Sequence, residues 1–187
     1  MFKYLNIKSS GFTLIETLVA VLLLATAIVG PLTIASKGLT STMIAKDQFI
    51  GFYLAQDAIE QVRFLRDTAC LATPGDSTGC PGSAWLQGLN NCLVSVNPNG
   101  CVLDSLATNP ASPAACVSIC EPMRYDATNH IFNYNPAMPL TPQKFIRTVK
   151  ITNTADEAVV TVEVNWVDRA GITRVPITVR ENIFRWQ

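Results

Sequence analysis

The chain carries a single histidine in 187 residues, and charged side chains make up only 15% of it. One imidazole, His130, excludes a multi-histidine metal site and leaves any histidine-based dyad to be built around it alone. Basic and acidic side chains balance at 14 each, so no positive excess marks a nucleic-acid surface. A G-x-S-x-G nucleophile elbow, a phosphate-cradling glycine loop and a repeated C-x-x-C are missing as well. The sequence therefore offers no catalytic residue, cofactor site or metal site, and it reads as a non-enzyme. What it has in quantity is apolar residues, 49% of the total, with a mean hydropathy of +0.26. That excludes a wholly disordered chain and leaves room for one domain plus an extra segment.

The extra segment is easy to find. Residues 17–36, TLVAVLLLATAIVGPLTIAS, hold no charge between Glu16 and Lys37. At about 1.5 Å per residue such a helix spans roughly 30 Å, the thickness of a bilayer's hydrocarbon core. A buried core helix would show a polar face, whereas only Thr26, Thr33 and Ser36 are polar here. Upstream, MFKYLNIKSSG contains Lys3 and Lys8 and no acid, which predicts a cytoplasmic N-terminus and places everything after about Lys37 outside the cytoplasm. Ala35-Ser36 could be read as a secretory cleavage site, but the apolar run is longer than a usual signal core and continues into a helical pattern.

The junction Gly11-Phe12-Thr13-Leu14-Ile15-Glu16, followed at once by the apolar run, resembles the type IV prepilin leader. The resemblance covers roughly the first 36 residues: a short basic leader, a glycine, a phenylalanine, and a glutamate four residues beyond. It implies cleavage between Gly11 and Phe12 by a prepilin peptidase/methyltransferase and N-methylation of Phe12. It also implies a single-pass inner-membrane protein that is later assembled, through an inner-membrane platform, with other pilin or pseudopilin subunits. Glu16 has a physical claim of its own, because a carboxylate costs about 2.5–3.5 kcal/mol at the centre of a membrane span and less near its end. The new amine of Phe12, one turn away or in a neighbouring subunit, would be its partner. The resemblance favours the neighbour and makes Glu16 a register device for assembly. Gly30-Pro31 interrupts the span, since proline removes a backbone donor, and predicts a helix break or kink.

From Lys37 to about Asp67, Leu39, Met43, Ile50, Leu54, Ala58, Val62 and Leu65 recur at helical spacing. Glu60 lies one turn before Arg63. One helix over about 12–67 follows, on the order of 84 Å if straight, its second half packing on the protein's own sheet. Gly38, Gly51 and the imperfect heptad argue against a free-standing coiled coil. Residues 52–63 loosely resemble the same helix region of minor pilins and pseudopilins.

Residues 68–143 hold nine of eleven prolines and all six cysteines. Cys70, Cys80, Cys92, Cys101, Cys116 and Cys120 lie, by the orientation argument, in an oxidising space, which favours up to three disulfides of unspecified pairing over zinc. Trp85 and Leu86 are expected to fill a small core beneath these staples rather than form an exposed anchor.

Three strands are predicted over 144–151, 158–167 and 172–183. Val160, Val162, Val164 and Trp166 alternate with Thr161, Glu163 and Asn165. Val175, Ile177 and Val179 repeat the pattern, and Pro176 marks an edge or bulge. A further short strand is expected near residues 123–125 or 131–132. Seven basic residues against five acidic ones in 144–187 read as the solvent face of strands rather than as a DNA-uptake surface.

The expected fold is α+β and pilin-like: a long N-terminal helix, membrane-spanning in its first half, packed on a C-terminal antiparallel sheet with a disulfide-rich loop insertion. The segments are leader 1–11, transmembrane and filament-core helix 12–36, amphipathic continuation 37–67, Cys/Pro-rich loop 68–143 and sheet 144–187. The expected function is a minor pilin or pseudopilin, a structural subunit of a type IV pilus or type II secretion pseudopilus. The alternative is a filament-tip or membrane-tethered adhesin or DNA-uptake module of the same architecture.

Overall fold

The computed structural model describes residues 11–71, 85–104 and 113–185. Its first element, α1 (Leu14–Leu71), is a single α-helix, while the chain as a whole divides into two compact units at Ile44/Ala45.

In the first unit α1 buries none of its apolar side chains: Leu14, Val21, Leu24, Val29 and Leu32 are all exposed. Most of the hydroxyls on this segment are satisfied within it. Thr26 Oγ1 donates to the carbonyls of Leu22 and Leu23, Thr33 to Gly30, Ser36 to Thr33 and Thr40 to Ser36. Back-bonding of this kind leaves no hydroxyl hydrogen seeking water, the condition a helix must meet in lipid. Pro31, at the position of the break or kink expected at Gly30-Pro31, lies inside the single helix α1.

The second unit is a helix on a sheet. Five antiparallel strands are ordered β2-β1-β5-β6-β7, with β1 at Cys101–Val102, β2 at Ala114–Ala115, β5 at Ile146–Asn153, β6 at Glu157–Asn165 and β7 at Ile177–Phe184. Strict alternation fixes which face is covered. Val149 and Ile151 of β5 and Ala158, Val160, Val162 and Val164 of β6 are buried, and the register pairs Val149 with Val162 and Val162 with Val179. Trp166 is buried with them, as the alternation predicts. Residues 45–71 of α1 cover this face through Leu54, Ala58, Val62 and Leu65, whereas Leu39 and Met43 of the predicted stripe are exposed. Helix and sheet approach closely at Gly51, where a Cβ would meet the Ile177 side chain at 2.6 Å.

Three expectations about the sheet change. The third strand begins only at Ile177, after Pro176, and Val175 is exposed. Proline cannot donate to the ladder, and β7 is accordingly an edge strand. The cysteine-rich region is not merely a loop, since β1 and β2 extend the main sheet beyond β5. The short strands expected near 123–125 and 131–132 both exist, as β3 (Arg124–Asp126) and β4 (Ile131–Asn133), and they pair with each other in a separate hairpin.

Two disulfides join Cys92 to Cys101 and Cys116 to Cys120. The side chain of Cys70, and Cys80, lie outside the described residues, as do residues 1–10 of the expected leader. Trp85 and Leu86 are buried beside Leu89 and Cys92. Gly100 positions this layer. It has φ +82°, and a Cβ would stand 2.6 Å from the carbonyl oxygen of Val149 on β5. No side chain fits there.

Candidate functional site

At the N-terminal end, the helix begins where its capping chemistry dictates. The backbone N–H of Glu16 donates to Thr13 O at 3.1 Å and lies 3.4 Å from Thr13 Oγ1. Thr13 is therefore the N-cap and Glu16 the third helical residue, the T-x-x-E spacing of a capping box. Thr13 has no part in the sequence expectation for Glu16, although the T-x-x-E spacing carries it. The cap holds Gly11, Phe12 and Thr13 out of the helix and exposed, and a Cβ at Gly11 would meet nothing within 4 Å. A peptide bond in an exposed, non-helical segment is one that a peptidase can bind without unwinding a helix.

Glu16 makes no ion pair among the described residues. It sits in the first turn, where the helix dipole favours a negative charge. Beyond it, α1 is long and apolar enough to cross a membrane, with none of its most apolar window buried. The site is thus a capped helix start with an accessible bond before it, a lone carboxylate on its first turn and an apolar span behind.

In the second unit the helix is locked to the sheet by two arginines. Arg147 stands on the covered face of β5 and is 0% exposed. Nη1 donates to Leu54 O at 2.9 Å and to Asp57 Oδ2 at 2.6 Å, and Nη2 donates to Leu103 O at 2.5 Å. One guanidinium thus ties α1, β5 and the segment after β1 together. The expectation that the basic residues of 144–187 lie on the solvent face fails for this one. Its alternation partners are Val149 and Ile151, so its parity places it inside, and three acceptors make that position tenable. Nearer the C-terminal end of α1, Arg63 donates to Glu60 at 2.7 Å and, through Nε and Nη2, to Glu181 of β7. The Glu181 hydrogen bond is the main reason the Arg63 guanidinium is held above its ordinary range, with the charges of Glu181, Glu60 and Asp67 adding to it against some burial.

An apolar helix packed at its C-terminal end on an antiparallel sheet, with two disulfides beside it, is an α+β, pilin-like architecture. The N-terminus agrees. The family model described as "Prokaryotic N-terminal methylation motif", the type IV prepilin-type signal, matches residues 6–30, a stretch that contains Gly11, Phe12, Glu16 and Gly30. No curated protein and no solved structure matches the chain. Motif and fold together support a type IV pilin-like chain: a structural protein with a membrane-anchoring helix, of the type that prepilin peptidase processes and that assembles with other pilins.

Proposed function

We propose that the protein is a minor pilin or pseudopilin, a structural subunit cut between Gly11 and Phe12, methylated on Phe12 and incorporated through its N-terminal helix into a type IV pilus or a type II secretion pseudopilus. Its N-terminus faces the cytoplasm and the second unit lies on the far side of the inner membrane, where an assembly platform gathers it with sister subunits. The carrying observation is the conjunction of the prepilin-type signal with a helix whose most apolar window is not buried among the described residues. Such a surface needs another apolar environment, first lipid and then neighbouring helices. Glu16, without an ion-pair partner among the described residues, is matched to the amine that cleavage would expose on Phe12 of a neighbour.

The test separates the two steps. Glu16→Ala is expected to keep leader removal, read as the mass of the mature chain, while incorporation into sheared filaments falls at least tenfold. Loss of processing with unaffected incorporation would overturn the assignment.

A second reading, a binding module displayed by the filament, draws on one observation. In the loop closed by Cys116 and Cys120, Val117 is 94% exposed and Ile119 is 76% exposed. A stapled loop presenting two aliphatic side chains resembles a contact surface. Under this reading, Val117→Ser with Ile119→Ser keeps assembly and abolishes attachment; unchanged attachment rejects it.

A further inference from the structure

Beyond the assembly role, one pocket of the second unit holds chemistry that the fold itself does not use. It has a volume of about 370 Å³ and lies between α1, the β3–β4 hairpin and the segment leading into β5. Two of its polar lining residues are more than nine-tenths buried, Asp47 on α1 at 3% exposure and Gln143 at 8%. Neither side chain has a hydrogen-bond or ion-pair partner among the described residues, and Thr141 Oγ1, also lining the pocket, is buried without one. The Thr141 hydroxyl, buried without a partner, carries a desolvation cost, and Asp47 and Gln143 line the same pocket without a protein partner among the described residues. A fold that merely packed a helix on a sheet would have placed apolar groups there.

The surroundings are organised around these groups. One wall is aromatic: Tyr125, Phe132 and Phe145 form a row with ring centroids 5.1 and 5.5 Å apart. The rim is carried by two aspartate-built turns. Asp126 Oδ1 accepts the backbone N–H groups of Thr128 and Asn129, and Oδ2 accepts Asn129 Nδ2. This turn delivers His130, whose Nδ1 lies 3.0 Å from Tyr125 Oη. Asp168 Oδ1 accepts the N–H groups of Ala170 and Ile172 while Oδ2 accepts from Arg174, which fixes the turn bearing Arg169. The non-glycine residues with positive φ among the described residues are His130 at +58° and Lys144 at +44°. His130 lines the pocket, and Lys144 stands in the chain between the lining residues Gln143 and Phe145. Backbone conformations of this cost persist where the surrounding structure holds them for a purpose.

We propose that the pocket binds a saccharide unit bearing one carboxylate, of the uronic-acid type. Hydroxyl groups both donate and accept, which is what an unpaired carboxylate, amide and hydroxyl together require. The mutually tilted rings of Tyr125, Phe132 and Phe145 offer apolar ring surface to the C–H face of a pyranose ring. Lys46 and Arg169 at the rim outnumber Asp47, so the pocket favours one negative charge over none.

The test uses the full chain in detergent with D-glucuronate, D-glucose and acetate as probes, read by saturation-transfer NMR and by titration. Glucuronate is expected to bind in the millimolar range or better and glucose roughly tenfold more weakly, with acetate not competing. Gln143→Ala weakens both sugars about tenfold, the equivalent of one hydrogen-bonded contact. The exposed Arg169→Ala, which leaves the core untouched, removes the preference for glucuronate over glucose and leaves assembly intact. Competition by acetate at the same concentration would make this a simple anion site and overturn the proposal. So would an absence of sugar binding in the wild-type chain, or an Arg169→Ala variant that keeps the preference.

Discussion

Replacing Arg147 by alanine is expected to destabilise the second unit by about 3–5 kcal/mol, the range for removing one member of a buried, paired charge system. The structure shows where that magnitude comes from. The guanidinium is fully buried and gives hydrogen bonds to Leu54 O, Leu103 O and Asp57. Truncation leaves Leu103 O unpaired at about 1–3 kcal/mol, takes the second donor from Leu54 O, which keeps its helical hydrogen bond, and the volume of the lost stem adds a cavity cost. Asp57 contributes less to the loss, because its side chain is 43% exposed and water takes it back. Asp57→Ala alone should therefore cost less, about 1–2 kcal/mol, since the charge on Arg147 keeps its two carbonyl acceptors. A double-mutant cycle should give a coupling near 1 kcal/mol. Arg147→Met refills the volume without a charge and should recover part of the loss. Urea unfolding of the full chain in detergent, with disulfides intact, reads all four, followed by near-ultraviolet circular dichroism from buried Trp85 and Trp166. An Arg147→Ala variant within about 1 kcal/mol of wild type would refute the latch, as would an Asp57→Ala variant that costs as much as Arg147→Ala.

Three further outcomes follow from the same unit. Gly100→Ala should destabilise by more than about 2 kcal/mol, because it combines a left-handed backbone with a collision against the Val149 carbonyl; Gly51→Ala, facing only the movable end of Ile177, should cost clearly less, and equal losses by thermal melting would contradict the geometry. Chain-entropy arithmetic for sequence separations of 9 and 4 gives about 2.7 kcal/mol for Cys92–Cys101 and about 2.1 kcal/mol for Cys116–Cys120. Non-reducing mass spectrometry of the exported protein should find both links, and six alkylatable thiols would reject them. The third concerns acid. Hydrogen bonds, from the Asn129 side chain first for Asp126 and from the Ile172 backbone first for Asp168, hold both carboxyls below the ordinary aspartate value of 3.8. A depressed folded-state pKa contributes stability that is fully present above the unfolded value and lost as pH falls through the folded one. Both turns should therefore hold at neutral pH and loosen only below about pH 4. Amide exchange at Thr128 and Ala170 measures this, and loosening between pH 5 and 7 would contradict it.

The sequence by itself determined the elements whose signal is local. An uncharged run long enough for a bilayer needs no partner to be recognised, because its length alone matches the hydrocarbon core. Period-two alternation likewise committed Val160, Val162, Val164 and Trp166 to one buried face. The Thr13 cap was equally local and readable from its spacing to Glu16. The tertiary structure alone decided whatever depends on contacts between distant residues. Alternation gave Arg147 an inward parity, yet only the arrival of Leu54, Asp57 and Leu103 makes a buried charge tenable there. Disulfide partners follow from which cysteines the chain brings within bonding distance, and spacing leaves fifteen pairings of six equally open. The pocket is the extreme case. Asp47, His130, Gln143 and Arg169 are scattered over α1, a hairpin turn, a loop and the β6–β7 connection. No periodicity relates them, and only packing a helix and a hairpin around the entrance to β5 makes them neighbours.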